Sequence, residues 1–224
     1  MGPGLCSAPD LVTFRVPSLT SLSVSQLLDA FASSSEPLPA GGSAAALTGA
    51  VGASLLLMVS TLPRTRSGAA EEAGLLTTAA IQLRPIRDQL TTLMERDSEA
   101  YSALLAAMRV SHATDDERAR RHEQILAATH RATEVPLETI RAAAAALHTS
   151  IVVAGNGARA ASGDVAAAVE LLSGAVRAAC HSVDSNLAAL KDGEYVARVA
   201  AERHRLEEQS DADAAHARRA LATA

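Results

Sequence analysis

Tryptophan is absent from this 224-residue chain, and aromatic residues make up only 2% of it. Strands rely on aromatic and β-branched side chains to cover a pleated face, so this shortage excludes most β architectures. Cysteine is nearly as scarce. Cys6 and Cys180 are too few for a disulfide framework or a cysteine-rich zinc site. Positive charge is in the minority, with 20 Lys and Arg against 25 Asp and Glu and a formal net charge of −5. With no basic block and almost no stacking aromatics, nucleic acid is not an expected partner. Residues 1–10 carry neither a basic n-region nor an apolar core, so no secretory signal is read there and a cytoplasmic location is expected.

Alanine fills the gap, at roughly a fifth of the chain, well above ordinary usage. With Leu, Arg and Glu it favours helix. A capping box at Ser23 to Gln26 opens a short helix, which Ser33 to Pro39 closes. Gly41-Gly42 leads into an uncharged helix from Ser43 to about Thr61, followed by a loop carrying Arg64 and Arg66. A helical pattern then runs from about Ala69 to Val110, with a kink or break expected at Pro85. Thr114 to Glu117 caps another helix reaching about His148, interrupted at Pro136. A polar loop from Gly155 to Asp164 precedes a helix from Asp164 to Leu190. Asp192-Gly193 separates that helix from a last one, which fades near Leu206.

The expected fold class is all-α, a bundle of about six to eight helices. The expected organisation is a flexible tail over 1–18, one helical domain over 19–208 and a frayed tail over 209–224. Ser43 to Leu62 is long enough and apolar enough to cross a membrane. Its first half, however, is Ala, Gly, Ser and Thr, which insert weakly, so the buried central helix of a bundle is expected instead. Small side chains bury little area each, at ~25 cal/mol per Å². Such a core gains from area shared between subunits, which points to a homodimer.

Asp97 is the most informative residue for chemistry. It interrupts the apolar series Leu90, Leu93, Tyr101, Leu104, so a carboxylate takes a core-facing slot. A buried carboxylate must be protonated, paired or facing a cavity. It is either a structural group bonded to a helix N-terminus or to Arg84 or Arg87, or a general acid/base with a shifted pKa. Pro39, Gly41, Gly42 and Ser43 form a second feature, a loop whose backbone N–H groups could approach a ligand at the start of a helix. The seven histidines lack metal-ligand spacing, and no metal is expected.

In order along the chain, Pro37-x-Pro39-Ala40-Gly41-Gly42-Ser43, Met58-Val59, Asp97-x-x-Ala100-Tyr101, Val135-Pro136-Leu137, Gly155-Asn156, Asp164 and Arg177 to Leu187 resemble the formiminotransferase-cyclodeaminase C-terminal family. The likeness runs from about Leu19 to Asp192. It departs at Ala40, where the family has glycine, in the segment 60–64, at Gly163 before Asp164, and at Ser182. The resemblance implies an oligomeric folate enzyme without a prosthetic group, whose substrate is a tetrahydrofolate derivative. The implied activity is formimidoyltetrahydrofolate cyclodeaminase, forming 5,10-methenyltetrahydrofolate and ammonia; methenyltetrahydrofolate cyclohydrolase is the alternative. A non-catalytic folate-binding or helical oligomerisation protein is the reading from another class. Asp97 and Ser43 are the implied catalytic pair. Pro39, Gly41, Gly42, Tyr101, Asn156, Asp164 and Asn186 are the implied substrate-binding residues, with the Gly41-Gly42-Ser43 turn, Asp164 and Asn186 at the pterin, and Arg64 or Arg66, by charge and position near the loop, would attract the glutamate tail. A separate formimidoyltransferase would be a partner.

Overall fold

The computed structural model describes residues 18–34 and 39–223. Most of the expected N-terminal tail, Cys6 and the Ser35 to Leu38 part of the proline loop therefore lie outside the described residues. Six α-helices are present among the described ones: α1 (Val24–Ala32), α2 (Gly41–Ser60), α3 (Ala70–Met108), α4 (Asp115–Asn156), α5 (Ser162–Leu187) and α6 (Gly193–Ala222). Ser23 and Thr114 form the expected capping boxes, and Asp192 accepts a bond from the Tyr195 N–H at the start of α6.

α2 packs mainly between α3 and α5 and touches α4, while α4 also packs against α3, α5 and α6, and α6 lies on α4 and α5. Small residues set these approaches. A Cβ at Gly52 would lie 2.8 Å from Leu172 Cγ and 3.1 Å from the Ala168 carbonyl, so α2 and α5 meet backbone to backbone there. Alanines such as Ala46, Ala53, Ala143, Ala168 and Ala179 are fully buried, and Leu56, Leu83, Leu90, Leu137 and Leu172 fill the volume between helices.

The helices outrun the expectations at three places. Pro85 and Pro136 both sit inside continuous helices rather than breaking them. α4 runs past His148 to Asn156, which takes Gly155 and Asn156 out of the expected loop and shortens it to the residues around the 3-10 turn Arg159–Ala161. α6 continues to Ala222 instead of fading near Leu206. Its last turns bury Ser210, Asp213, Ala214 and Ala217, so residues 209–222 belong to the helical body and not to a tail. The pattern there is alanine with polar neighbours, and a stripe of small residues is a weak periodic signal.

Candidate active site

The first turn of a helix leaves N–H groups without intrahelical partners. At α2 the N-cap position is Ala40, whose side chain cannot accept a hydrogen bond. Asp97 of α3 takes that role from a different helix. Ser43 Oγ donates to Asp97 Oδ2 at 2.9 Å, and the Ser43 backbone N–H also bonds the carboxyl. Gly42 makes this possible, because a Cβ there would stand 2.1 Å from Asp97 Oδ1. Only a residue without a side chain allows the carboxyl to lie against the helix start.

Ser43 is fully buried and Asp97 is 8% exposed. Burial pushes the Asp97 carboxyl above the ordinary carboxylate range, against the two Ser43 hydrogen bonds that act to lower it. The positive end of α2 also favours the ionised form, yet burial prevails. Among the described residues no cation pairs with Asp97. Arg87 bonds Asp88 at 2.6 Å, and Arg84 lines a groove at the far end of α2. A carboxyl held between these opposing influences can both deliver and accept a proton, which is what general acid/base chemistry asks of it.

α5 closes the other side. A Cβ at Gly41 would lie 3.8 Å from Ser182 Oγ, and Asn186 follows one turn later. Asn186 Nδ2 donates to the Ala132 carbonyl of α4 at 2.7 Å. That carbonyl has no helical donor because residue 136, four positions on, is proline and lacks an N–H. Asn186 thus occupies part of its amide in repairing α4, leaving the rest of its hydrogen-bonding capacity. Buried Pro39 and half-buried Tyr101, one turn beyond Asp97, complete the group.

The remaining expected site residues lie elsewhere. At 1.5 Å per residue, Ser60 is ~26 Å along α2 from Ser43, and Asp164 is ~33 Å along α5 from Asn186. Asp164 and Asn186 therefore cannot contact one pterin ring within a single chain, and Arg64 and Arg66 are not beside the Gly41 loop. Asp164 is exposed in the first turn of α5, whose N-cap is Ala161. Arg66 is spent on α4: its guanidinium donates to the Ala154 carbonyl and its N–H to the Asn156 carbonyl at 2.9 Å. Asn156 Nδ2 bonds the Val152 carbonyl at 2.8 Å. Sequence reading missed the Pro136–Ala132–Asn186 link; a proline inside a helical pattern, with the carbonyl it frees four residues earlier, was the available signal.

Comparison with known proteins gives the chain its family. The sequence matches Formiminotransferase-cyclodeaminase over residues 23–205. The chain belongs to that family. It is 32% identical over 169 residues to a methenyltetrahydrofolate cyclohydrolase of Methylorubrum extorquens, spanning 75% of this chain and 81% of that one. It is 28% identical over 158 residues to a formimidoyltransferase-cyclodeaminase of Gallus gallus, spanning 70% of this chain but 29% of the longer relative. The crystal structure of formiminotetrahydrofolate cyclodeaminase from Thermotoga maritima superposes with a TM-score of 0.80 over 92% of this chain and 98% of that one, at 21% identity. That last likeness establishes that this formiminotransferase-cyclodeaminase family member shares the fold.

Proposed function

We propose that this chain is a folate one-carbon enzyme acting where a single carbon bridges, or comes to bridge, N5 and N10 of tetrahydrofolate. The carrying observation is Asp97, buried, cation-free and bonded by Ser43 at the start of α2. In the cyclodeaminase reaction N10 attacks the formimidoyl carbon, a proton reaches the departing nitrogen, and ammonia leaves the 5,10-methenyl product. In the cyclohydrolase reaction water adds to the methenyl carbon and loses one proton; the remaining hydroxyl proton is then passed to N5 as the C–N5 bond breaks, giving the 10-formyl product. Both pass through a tetrahedral carbon and both move one proton between nitrogen or oxygen and an acid/base group. Asp97 supplies that group, and Ser43 orients it. Gly41 and Gly42 keep the helix start open to the reacting edge of the pterin, with Pro39, Tyr101 and Asn186 beside it.

A specific observation favours the hydrolytic reaction as the second reading: the cyclohydrolase relative matches over most of its own length. The two reactions are separated by supplying each substrate and following the near-ultraviolet absorbance of the methenyl chromophore, which rises in one and falls in the other. Asp97→Asn keeps the shape and the Ser43 contact but removes the titrating group, and turnover falls about 10²–10⁴-fold. Retained turnover in that variant removes Asp97 from the mechanism. No turnover of either substrate by the unaltered protein overturns the enzyme reading in favour of folate binding alone. We further propose that the protein works as a homodimer in the cytoplasm, supplied by a separate formimidoyltransferase when it acts as the deaminase.

A further inference from the structure

α3, α4 and α6 leave an open groove between them, to which α2 contributes no residue. Its volume is about 790 Å³, within the range of roughly 300–1,000 Å³ that small-molecule sites occupy. The floor is apolar, made by Ile86, Ala144 and Leu206. Two cross-links between α4 and α6 bracket it. Arg141 holds Glu202 through two bonds, at 2.7 and 2.9 Å. Two turns further along α4, His148 Nδ1 meets Asp213 Oδ2 at 3.2 Å. The cross-links stand ~10 Å apart along α4, so the groove suits a short molecule and not a chain running through it.

The second cross-link is an unusual use of a carboxylate. Asp213 is 6% exposed and has no Lys or Arg partner among the described residues. Its oxygens accept from His148 and, at 3.0 Å, from Gln209 Nε2. Burying a carboxylate is costly, and a cross-link alone does not require it, since Arg141 and Glu202 join the same helices while partly exposed. What the buried carboxylate adds is direction. The His148 side chain is 75% exposed, and so open a ring has little packing to fix it. A carboxylate only accepts, so it keeps the hydrogen on Nδ1 and leaves Nε2 of the neutral ring as an acceptor, on the edge away from Asp213. Arg205 and Gln82 line the same groove, and their side chains make no hydrogen bond or ion pair among the described residues. Glu202, one turn before Arg205, is already held by Arg141. The groove therefore offers an oriented acceptor, a free guanidinium and an apolar floor.

We propose that this groove is a ligand site separate from Asp97, for a small aromatic acid with a hydroxyl across the ring from its carboxylate. The carboxylate pairs with Arg205, the ring covers Ile86, Ala144 and Leu206, and the hydroxyl donates to His148 Nε2. Arg205 and Asp213 lie ~12 Å apart along α6, a span that one ring with a short carboxyl arm fills once the lengths of the protein side chains are subtracted. A rigid ring also keeps both polar ends in place with less ordering entropy than a flexible chain. The site makes no use of the folate reading, and turnover at Asp97 does not bear on it.

Isothermal titration calorimetry on the full chain tests the site with 4-hydroxyphenylacetate, phenylacetate and 4-methylphenol. The first binds once per chain, and removing either polar end weakens binding about 5–10-fold. Arg205→Ala makes 4-hydroxyphenylacetate no tighter than 4-methylphenol, and His148→Ala makes it no tighter than phenylacetate. Because His148→Ala also takes a donor from Asp213, Ala145→Phe serves as a second kind of variant. It stands at an exposed position on the groove wall, keeps both polar groups and fills the space, so all three probes lose measurable binding. Unchanged helical circular dichroism shows that each variant folds. No heat from any probe at millimolar concentration overturns the proposal, as does binding that Arg205→Ala and Ala145→Phe leave unchanged. Equal binding of the three probes by the unaltered protein overturns it as well.

Discussion

The two ends of α2 put polar side chains to opposite uses. At the Arg66 end they close their own structural accounts: Arg66 satisfies the last carbonyls of α4, and Glu72 accepts from Thr65 Oγ1 at 2.6 Å and the Ser67 N–H at 2.8 Å, pinning the loop between α2 and α3. Those bonds, that from Thr65 first, hold the Glu72 carboxyl at about 2. At the Gly41 end a carboxyl is moved the other way, upward, because burial outweighs the same kind of hydrogen bonding. Hydrogen bonds at a half-buried carboxylate make a fastener, whereas comparable bonds at a buried one leave a group poised to exchange its proton. Burial, not partner type, separates structure from chemistry here.

The sharpest way to break this contrast is Gly42→Ala. The added Cβ would stand 2.1 Å from Asp97 Oδ1 and must push the carboxyl off Ser43. Turnover falls toward the Asp97→Asn level, and strain costs about 1–3 kcal/mol in chemical denaturation. Full activity in this variant removes the close approach from the argument. Asn186→Ala should cost about 1–3 kcal/mol, since the Ala132 carbonyl loses its donor; an unchanged denaturation midpoint contradicts that account. Arg66→Ala has a smaller effect, about 0.3–1 kcal/mol from the lost cation at the α4 C-terminus, and leaves KM and kcat of the same chain's Asp97 site alone.

pH separates the two carboxyls by sign. Asp97 is raised in the folded protein, so its contribution to stability is fully present below its unfolded value and is lost as pH rises through the folded one; Asp97→Asn abolishes that loss. Glu72 is lowered, so its contribution is present above its unfolded value and lost as pH falls toward about 2. Side-chain carboxyl shifts of Asp97 and Glu72 followed by NMR across pH in the unaltered protein distinguish them. An ordinary midpoint at both positions erases the contrast.

Much of the scaffold was legible because its signals are local. Ser23, Thr114 and Asp192 announce helix starts through short side chains that bond backbone three residues on. Asp97 was legible because a charge in an apolar series has few explanations. What could not be read was partnership between distant segments. Pro136 reads as a break until Asn186, fifty residues later, is seen to repair it. Arg66 and Asp164 read as ligand-binding groups until the lengths of α2 and α5 carry them away from Asp97. The end of α6 was missed because alanine buries well while giving little periodic contrast against its polar neighbours.

The carbonyl at Ala132 has a consequence for how this chain reaches its final form. A segment containing only α4 would meet Pro136 with nothing to answer it, and water would compete for the exposed oxygen and favour a bend. Straight continuation across that turn becomes favourable once α5 has docked and offered its amide. Regularity in the longest helix is thus a product of assembly and not its starting material, tying the completion of secondary structure at Ala132–Pro136 to the arrival of a neighbour.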